Sequence, residues 1–235
     1  MNARMKLSAD LHIHSCLSPC GNQEMTPNNL VNMAWLKGLD AIAVTDHNRA
    51  ANLPACAAAA ARRGVLLVPA LEATSREEVH LLCYLPSLEA AIALDEWLYA
   101  RLPPIPNRAD YFGEQTVMDA EDGVAGEEPR LLLQASEASL EELSAYAAAL
   151  GGVAVPAHIN RGACSLLSVL GFMPESPRFF AVELARGAAA KPVDLDGRLV
   201  LYGSDAHRLA DIAEPGWGLE VTERSVAGVL EALRG

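Results

Sequence analysis

Two histidines at the end of an apolar segment have the spacing of metal ligands. His12 and His14 stand two residues apart within residues 9–16, which read ADLHIHSC. In a β-strand, side chains at positions i and i+2 point to the same face, so both imidazoles project toward one point. The pair could bind one metal ion or could be two surface histidines, because short motifs also occur by chance. The other four histidines of the chain distinguish these alternatives.

The remaining candidate ligands also lie near predicted strands. Apolar segments predict strands at residues 6–13, 39–45, 65–71, 79–85, 153–157, 179–184, 199–203 and 217–221. The candidates at or just after the carboxyl end of a strand are His12, His14, His47, Glu72, His158, Asp205 and His207. His80 lies near the start of its strand instead. Glu183 could face the same cluster or could simply end its own strand.

Helices are predicted between these strands, and their order indicates the fold. They cover residues 27–37, 50–63, 88–102, 140–150, 163–170 and 225–234. Strands alternating with helices predict a parallel α/β sheet, and seven or eight such units predict a closed barrel. An open doubly wound sheet is the alternative. The active site of a βα barrel forms at the carboxyl ends of its strands, which is where the candidates would meet.

Residues 103–136 interrupt this alternation. Asp122 and Gly123 form the turn signal of a β-hairpin within that segment. An insertion of this length in a compact domain is more often functional than idle. We expect residues 1–235 to form a single domain that carries the insertion, since α/β barrels often run to such a length.

Composition restricts the class of protein. The formal charge is −12, from 30 acidic and 18 basic residues. This balance opposes a broad nucleic-acid-binding face, so long nucleic acid is not the expected partner. Five cysteines without a CxxC pair favour a reducing compartment. No apolar run reaches the roughly 18 residues of a membrane span, and no signal peptide precedes the first strand, so we expect a cytoplasmic protein without membrane contact.

The donor types indicate which ions would bind. Imidazole combined with carboxylate suits zinc, manganese or iron better than magnesium or calcium. Glu72 and Asp205 supply carboxylates, and a carboxylate can bridge two cations.

The motifs together resemble those of the PHP (polymerase and histidinol phosphatase) superfamily of metal-dependent phosphoesterases. The similar segments are DLHIHS, TDH, Glu72, PAH and SDAH, which extend from residue 10 to residue 207 in the same order as in the family. The resemblance implies a distorted (β/α)7 barrel, here with a hairpin-containing insertion. It also implies two or three divalent metal ions (zinc, manganese or iron) and hydrolysis of a phosphate ester by a metal-bound hydroxide.

The resemblance also implies roles for individual residues. The first ion would be held by His12, His14, Glu72 and Asp205, the second by Glu72, His80 and His158, and the third by His47 and His207. Cys20 departs from the family pattern, in which many members have SDG or a nearby histidine, so Cys20 is either a ligand of the third ion or a small loop residue.

Arg161 and Asp46 would support the chemistry, and two of the ligands would have a second role. Arg161 would neutralise charge that develops on the phosphoryl group, and Asp205 with His207 would assist departure of the leaving group. Asp46 would orient an imidazole from outside the ligand shell, or would cap the following helix.

The expected substrate is a small phosphorylated molecule or a nucleotide. Two alternatives stay open at this point. One is a non-catalytic metal-binding module of the PHP type. The other is hydrolysis at carbon, as in amidohydrolases, which use similar ligands on a similar barrel.

Overall fold

The candidate ligands lie around one end of a curled β-sheet. The computed structural model describes residues 4–186, 195 and 197–235. The strands are β1 (Met5–Ile13), β2 (Ala41–Val44), β3 (Leu66–Thr74), β4 (His80–Tyr84), β5 (Thr116–Met118), β6 (Val124–Glu127), β7 (Val153–Pro156), β8 (Ala181–Glu183), β9 (Leu199–Leu201) and β10 (Gly218–Val221). The helices are α1 (Pro27–Leu36), α2 (Leu53–Arg63), α3 (Leu88–Tyr99), α4 (Ala109–Phe112), α5 (Leu140–Ala149), α6 (Leu166–Leu170) and α7 (Val226–Arg234).

The strands form a distorted (β/α) barrel, as the motifs implied. One six-stranded sheet has the order β10-β1-β2-β3-β4-β7, and β8 pairs with β9 in parallel. The Ile159 amide donates to the Glu183 carbonyl, which joins the end of β7 to β8. Beyond β9, Ala206 forms a parallel bridge with Ile13, which brings the chain back to β1. The circle of strands therefore closes at the end where the candidate ligands lie.

The parallel strands β1, β2 and β3 have the residue pattern of a doubly covered sheet. All four residues of β2 are buried, as are the last seven of β3. Near-continuous apolar segments are typical of parallel strands packed on both faces. The polar residues that interrupt them, His12 in β1 and Glu72 in β3, are consequently forced into the interior of the barrel.

The prediction of an all-parallel sheet was wrong for two strands. β4 pairs antiparallel with both β3 and β7, and β10 pairs antiparallel with β1. Only residues 75–79 separate β3 from β4, whereas a parallel crossover needs roughly a dozen residues or more. The reversal places His80, the first residue of β4, opposite Thr74 at the end of β3. His80 therefore reaches the same face as the ligands that follow parallel strands.

The third strand is also longer than predicted. β3 ends at Thr74, so Glu72 lies within the strand and pairs with Leu82 instead of following the strand. Its side chain consequently has a fixed direction set by the pleat.

Side-chain caps define where most helices begin. The Ser139 hydroxyl accepts from the Glu142 amide and the Glu142 carboxylate accepts from the Ser139 amide, which is a capping box at α5. The other helices capped by a Ser or Thr hydroxyl are α1, α3, α6 and α7. Among the described helices, none is both long enough and apolar enough to cross a membrane.

The insertion contains the predicted hairpin, formed by β5 and β6. Asp122 in the turn adopts a left-handed backbone with φ 60°. Its carboxylate accepts from the Thr26 hydroxyl and, at 3.0 Å, from the Asn28 amide at the start of α1. The Thr116 amide donates to the Cys16 carbonyl at 3.0 Å. The insertion is therefore bonded directly to the loop that follows β1.

A small apolar cluster also holds the insertion against the barrel, and a substitution can test this packing. Leu132 is fully buried against Leu17 and Leu102, whereas its neighbour Leu133 is 38% exposed. We expect Leu132→Ala to lower the free energy of unfolding by about 2–5 kcal/mol, because it removes buried surface and leaves a cavity. Leu133→Ala is the matched control and should change it by less than about 0.5 kcal/mol. Denaturant unfolding of both variants measures the difference, and equal effects would show that the insertion does not pack as described.

Candidate metal centre

The Glu72 carboxylate lies at the centre of the histidine cluster. Its Oε1 atom is 2.9 Å from His80 Nδ1 and 3.2 Å from His158 Nε2. Its Oε2 atom is 3.0 Å from His47 Nδ1 and 3.4 Å from His14 Nε2. The Glu72 side chain is almost completely buried. Both carboxylate oxygens therefore face imidazole nitrogens that come from different strands.

A second group of donors lies beside Glu72. His12 Nε2 and His14 Nε2 are 3.1 Å apart, and the Asp205 Oδ1 atom is 3.2 Å from the first and 3.1 Å from the second. Asp205 has a left-handed backbone with φ 53°. The segment around Asp205 is held by Asp10, whose carboxylate accepts from the Ser204 amide at 2.9 Å and from the Ala213 amide at 2.8 Å.

A third group includes the cysteine that departs from the family pattern. The potential ligand atoms of His14, Cys20, His47 and His207 all lie within 4.8 Å of one another. His207 Nε2 is 3.1 Å from Cys20 Sγ. Every sequence-predicted metal ligand thus falls in one of three adjoining groups.

The protonation of His12 is set by Glu183. His12 Nδ1 lies 2.9 Å from Glu183 Oε2 and 3.1 Å from Oε1. Because a carboxylate only accepts, Nδ1 donates a proton to it, and Nε2 is directed toward His14 and Asp205. Glu183 also accepts from the His158 amide at 3.0 Å. The buried Glu183 carboxylate therefore orients both the His12 ring in β1 and the backbone of His158 after β7.

The protonation of His14 is set by a relay through Ser18 and Asp46. The Ser18 hydroxyl donates to Asp46 Oδ1 at 2.7 Å, so it accepts the hydrogen bond from His14 Nδ1 at 2.9 Å. His14 Nε2 is then free to bind a cation. Asp46 is itself fixed by the Ser15 amide and hydroxyl. The imidazole that Asp46 orients is thus His14, reached through Ser18, and the cap position of α2 is taken by Asn52.

The separations among these donors fit metal ligands. Ligand atoms about 2.0–2.1 Å from a four- or six-coordinate ion lie ~2.8–3.4 Å from their neighbours, as the nitrogens and oxygens here do. His47 Nδ1 and His80 Nδ1 are buried and form no hydrogen bond, although each lies close to Glu72. Buried polar atoms without a partner are rare, and a bound cation would satisfy each of them.

Electrostatics in the cluster favour a positive charge. Burial lowers the pKa of His80, but Glu72 and Cys164 together outweigh it and raise the pKa to about 10. Burial likewise opposes ionisation of Asp205, but the imidazoles of His12 and His14 hold the pKa of that carboxyl well below its usual range. Burial and the neighbouring His47 lower the pKa of His14 to about 3. Ionised carboxylates beside an uncharged imidazole form a donor set suited to a divalent cation.

The cluster is open to solvent on one side. His12 and His14 have no exposed side-chain surface, whereas the side chains of His207 and Arg161 are 29% and 44% exposed. Arg161 Nη1 forms an ion pair with Asp205 Oδ2. A substrate would therefore approach between Arg161 and His207.

Two residues that set the geometry were not predicted to do so: the role of Glu183 was left open, and Ser18 was missed. Glu183 carried a signal, since it is a carboxylate at the end of a strand, but the pairing with His12 depends on tertiary structure. Ser18 carried no signal apart from its place in the loop after His14. Gly203 makes room for the Glu183 pairing, because a Cβ at that position would collide with the Glu183 carboxylate and the His12 side chain.

Comparison with known proteins agrees with this geometry. A family model described as the PHP domain matches residues 10–155. No curated protein matches the chain.

Solved structures share the fold. The lesion-specific endonuclease PfuEndoQ from Pyrococcus furiosus aligns at a TM-score of 0.65 and 20% identity, covering 98% of this chain and 56% of that one. Endonuclease Q in complex with a 27-mer duplex bearing an abasic lesion aligns at 0.67 and 20% identity, covering 98% and 57%. This chain thus spans just over half the length of those enzymes. A candidate metal-dependent phosphoesterase from Bifidobacterium adolescentis aligns at 0.59 and 20% identity, covering 97% and 96%.

The role of Glu183 leads to a prediction about metal affinity. Glu183→Gln keeps the volume of the side chain but removes the charge that holds the His12 Nδ1 proton. We expect metal affinity to fall about 10–100-fold, as is typical when a partner of a ligating imidazole is lost. Isothermal titration with Zn²⁺ or Mn²⁺ measures the change. Glu175→Gln, at an exposed position, is the control. Equal affinities for the two variants would contradict the assignment.

Proposed function

We propose, starting from the fact that this chain belongs to the PHP domain family, that it hydrolyses phosphate esters with two or three divalent ions. Membership of the family and the clustered donors support a metal-dependent hydrolase. The observation that carries the proposal is the convergence of six imidazoles and two carboxylates on one open face. In three of the imidazoles, hydrogen bonds place a proton on Nδ1: His12 donates to Glu183, His14 to Ser18, and His207 to the Asp205 carbonyl.

The ligand sets proposed are those that the family resemblance implies, and the three groups of donors support them. We assign the first ion to His12, His14, Glu72 and Asp205, the second to Glu72, His80 and His158, and the third to His47, His207 and Cys20. When bound, divalent ions lower the pKa of water and neutralise charge on phosphoryl oxygens. Zinc, manganese and iron all suit these donors.

Residues of the chain itself would position and release the substrate. The Arg161 guanidinium is held at the solvent edge of the cluster by Asp205 and can contact a phosphoryl oxygen as negative charge develops. The end of the cluster formed by Asp205 and His207 lies next to Arg161, and we expect the leaving oxygen to depart there. Asp46 acts on the reaction only through the orientation of His14.

The substrate proposed is a small phosphorylated molecule or a nucleotide. A net charge of −12 repels a long polyanion, and only the local cluster would attract phosphate. Endonuclease Q acts on DNA, but it extends well beyond the region matched by this chain. The five cysteines are all free, which fits the proposed location in a reducing cytoplasm.

The proposal predicts phosphoesterase activity that depends on the ligands. Protein loaded with Mn²⁺ or Zn²⁺ should hydrolyse p-nitrophenyl phosphate or bis-p-nitrophenyl phosphate. We expect His14→Ala to reduce kcat/KM at least about 100-fold, because His14 contacts two of the three donor groups. Thermal unfolding shows whether the variant retains its fold. Equal, metal-independent activity in the two proteins would contradict the proposal, and full metal occupancy without any turnover would favour a non-catalytic module.

A second prediction concerns the substrate class. We expect kcat/KM for a mononucleotide or bis-p-nitrophenyl phosphate to exceed that for cleavage of a duplex with an abasic site by at least about tenfold at physiological salt, because the acidic surface repels DNA. The two rates are measured with one preparation, by released chromophore or phosphate and by gel electrophoresis. Preferential cleavage of the duplex would overturn the choice of a small substrate. Hydrolysis of an amide or lactone with no action on phosphate esters would instead favour the amidohydrolase alternative.

A further inference from the structure

The donor types are distributed unevenly across the cluster. The carboxylate oxygens of Glu72 and Asp205 lie among His12, His80 and His158. The group on the solvent side consists of imidazoles and the Cys20 sulfur, with no carboxylate among its four members. Hard oxygen ligands and soft sulfur ligands select different cations, so the two parts of the cluster differ in the ion they favour.

Cys20 is the one cysteine of the five that lies in a group of potential ligands. Cys16, Cys56 and Cys83 have no exposed surface and pack in the interior. Cys164 contacts the His80 ring, but it belongs to none of the three groups of ligand atoms. Its position beside potential ligand atoms therefore distinguishes Cys20 from the other four cysteines.

The loop around Cys20 is built to hold the sulfur toward His207. The Gly21 amide donates to the Ser18 carbonyl at 2.8 Å, and the Asn22 amide donates to the His207 carbonyl at 2.9 Å. Gly21 permits this path, because a Cβ there would collide with the Ser15 carbonyl oxygen. Hydrogen bonds thus fix the loop on both sides of Cys20. Asn22 binds directly to the segment that carries His207.

The partner imidazoles are oriented for binding. His207 Nδ1 donates to the Asp205 carbonyl at 2.7 Å, and its Nε2 atom lies 3.1 Å from Cys20 Sγ, so Nε2 is the nitrogen directed toward the third group. His47 is nearly buried, and its Nδ1 atom forms no hydrogen bond. A sulfur and three imidazoles, with ligand atoms within 4.8 Å of one another, form a site for a cation that prefers nitrogen and sulfur once the thiol gives up its proton.

We propose that the third site is a thiolate–imidazole site selective for a thiophilic ion such as Zn²⁺, while the carboxylate sites around Glu72 and Asp205 also accept Mn²⁺. The protein would then hold two kinds of ion at once. This inference rests on the proposed function, because it presupposes that the cluster binds metal. Ion binding at the third site releases the Cys20 proton to solvent and forms a bond from sulfur to the metal, with no redox change.

Cobalt provides a spectroscopic test that does not depend on activity. The full chain is stripped with a chelator, loaded with Co²⁺, and examined for the sulfur-to-cobalt charge-transfer band in the near ultraviolet, with ions per chain counted by elemental analysis. We expect the band in the wild type and in Cys164→Ser, the matched control. Cys20→Ser should lose the band and bind one ion fewer. Loading with Mn²⁺ alone should also give one ion fewer than Co²⁺.

Cys20→His is a second variant that tests the same thiolate if Cys20→Ser does not fold. This variant should retain the full number of Co²⁺ ions and lose the band. A band that persists in Cys20→His, or full Co²⁺ binding by the wild type without a band, would overturn the thiolate site while leaving the proposed function intact. Failure of the wild type to bind Co²⁺ at any site would overturn both.

Discussion

The structure depends on two imidazole nitrogens that face each other in the interior of a barrel. His12 Nε2 and His14 Nε2 lie 3.1 Å apart with no solvent exposure, and both face the Asp205 carboxylate. Burial lowers the pKa of His12, yet the carboxylates of Glu183, Asp205 and Glu72 together raise it well above its usual value. These carboxylates therefore favour a positive charge between the two imidazoles. A proton can supply it in the metal-free protein, and a divalent ion satisfies more of the donors.

Much of the cluster could be predicted because its residues follow a simple rule. Polar side chains at the ends of apolar strands must share one face when the strands are parallel, and this placed His12, His14, His47, His158 and Asp205 together. His80 could be predicted as a ligand only from the family resemblance. His80 begins its strand, so an all-parallel sheet would place it at the other end of the barrel, and the short connection that reverses β4 brings it to the other ligands.

The supporting residues were harder to predict, because their roles depend on contacts between distant segments. Glu183 and His12 are 171 positions apart, and Asp46 reaches His14 only through Ser18. The prediction that the insertion at residues 103–136 is functional rested on its length alone. In the structure, the insertion bonds to the loop after β1, which carries Ser18 and Cys20, and so it helps to fix two parts of the cluster without adding a predicted ligand.

We propose that these donors surround metal ions. Anomalous X-ray scattering from crystals grown with Mn²⁺ or Zn²⁺ would locate them, because the peaks identify both the element and its position. We expect separate peaks about 2.0–2.3 Å from ligand atoms of His12, His14 and Asp205, and from those of Glu72, His80 and His158. If crystals grown with these ions show no anomalous peak within this cluster, the donors do not bind metal.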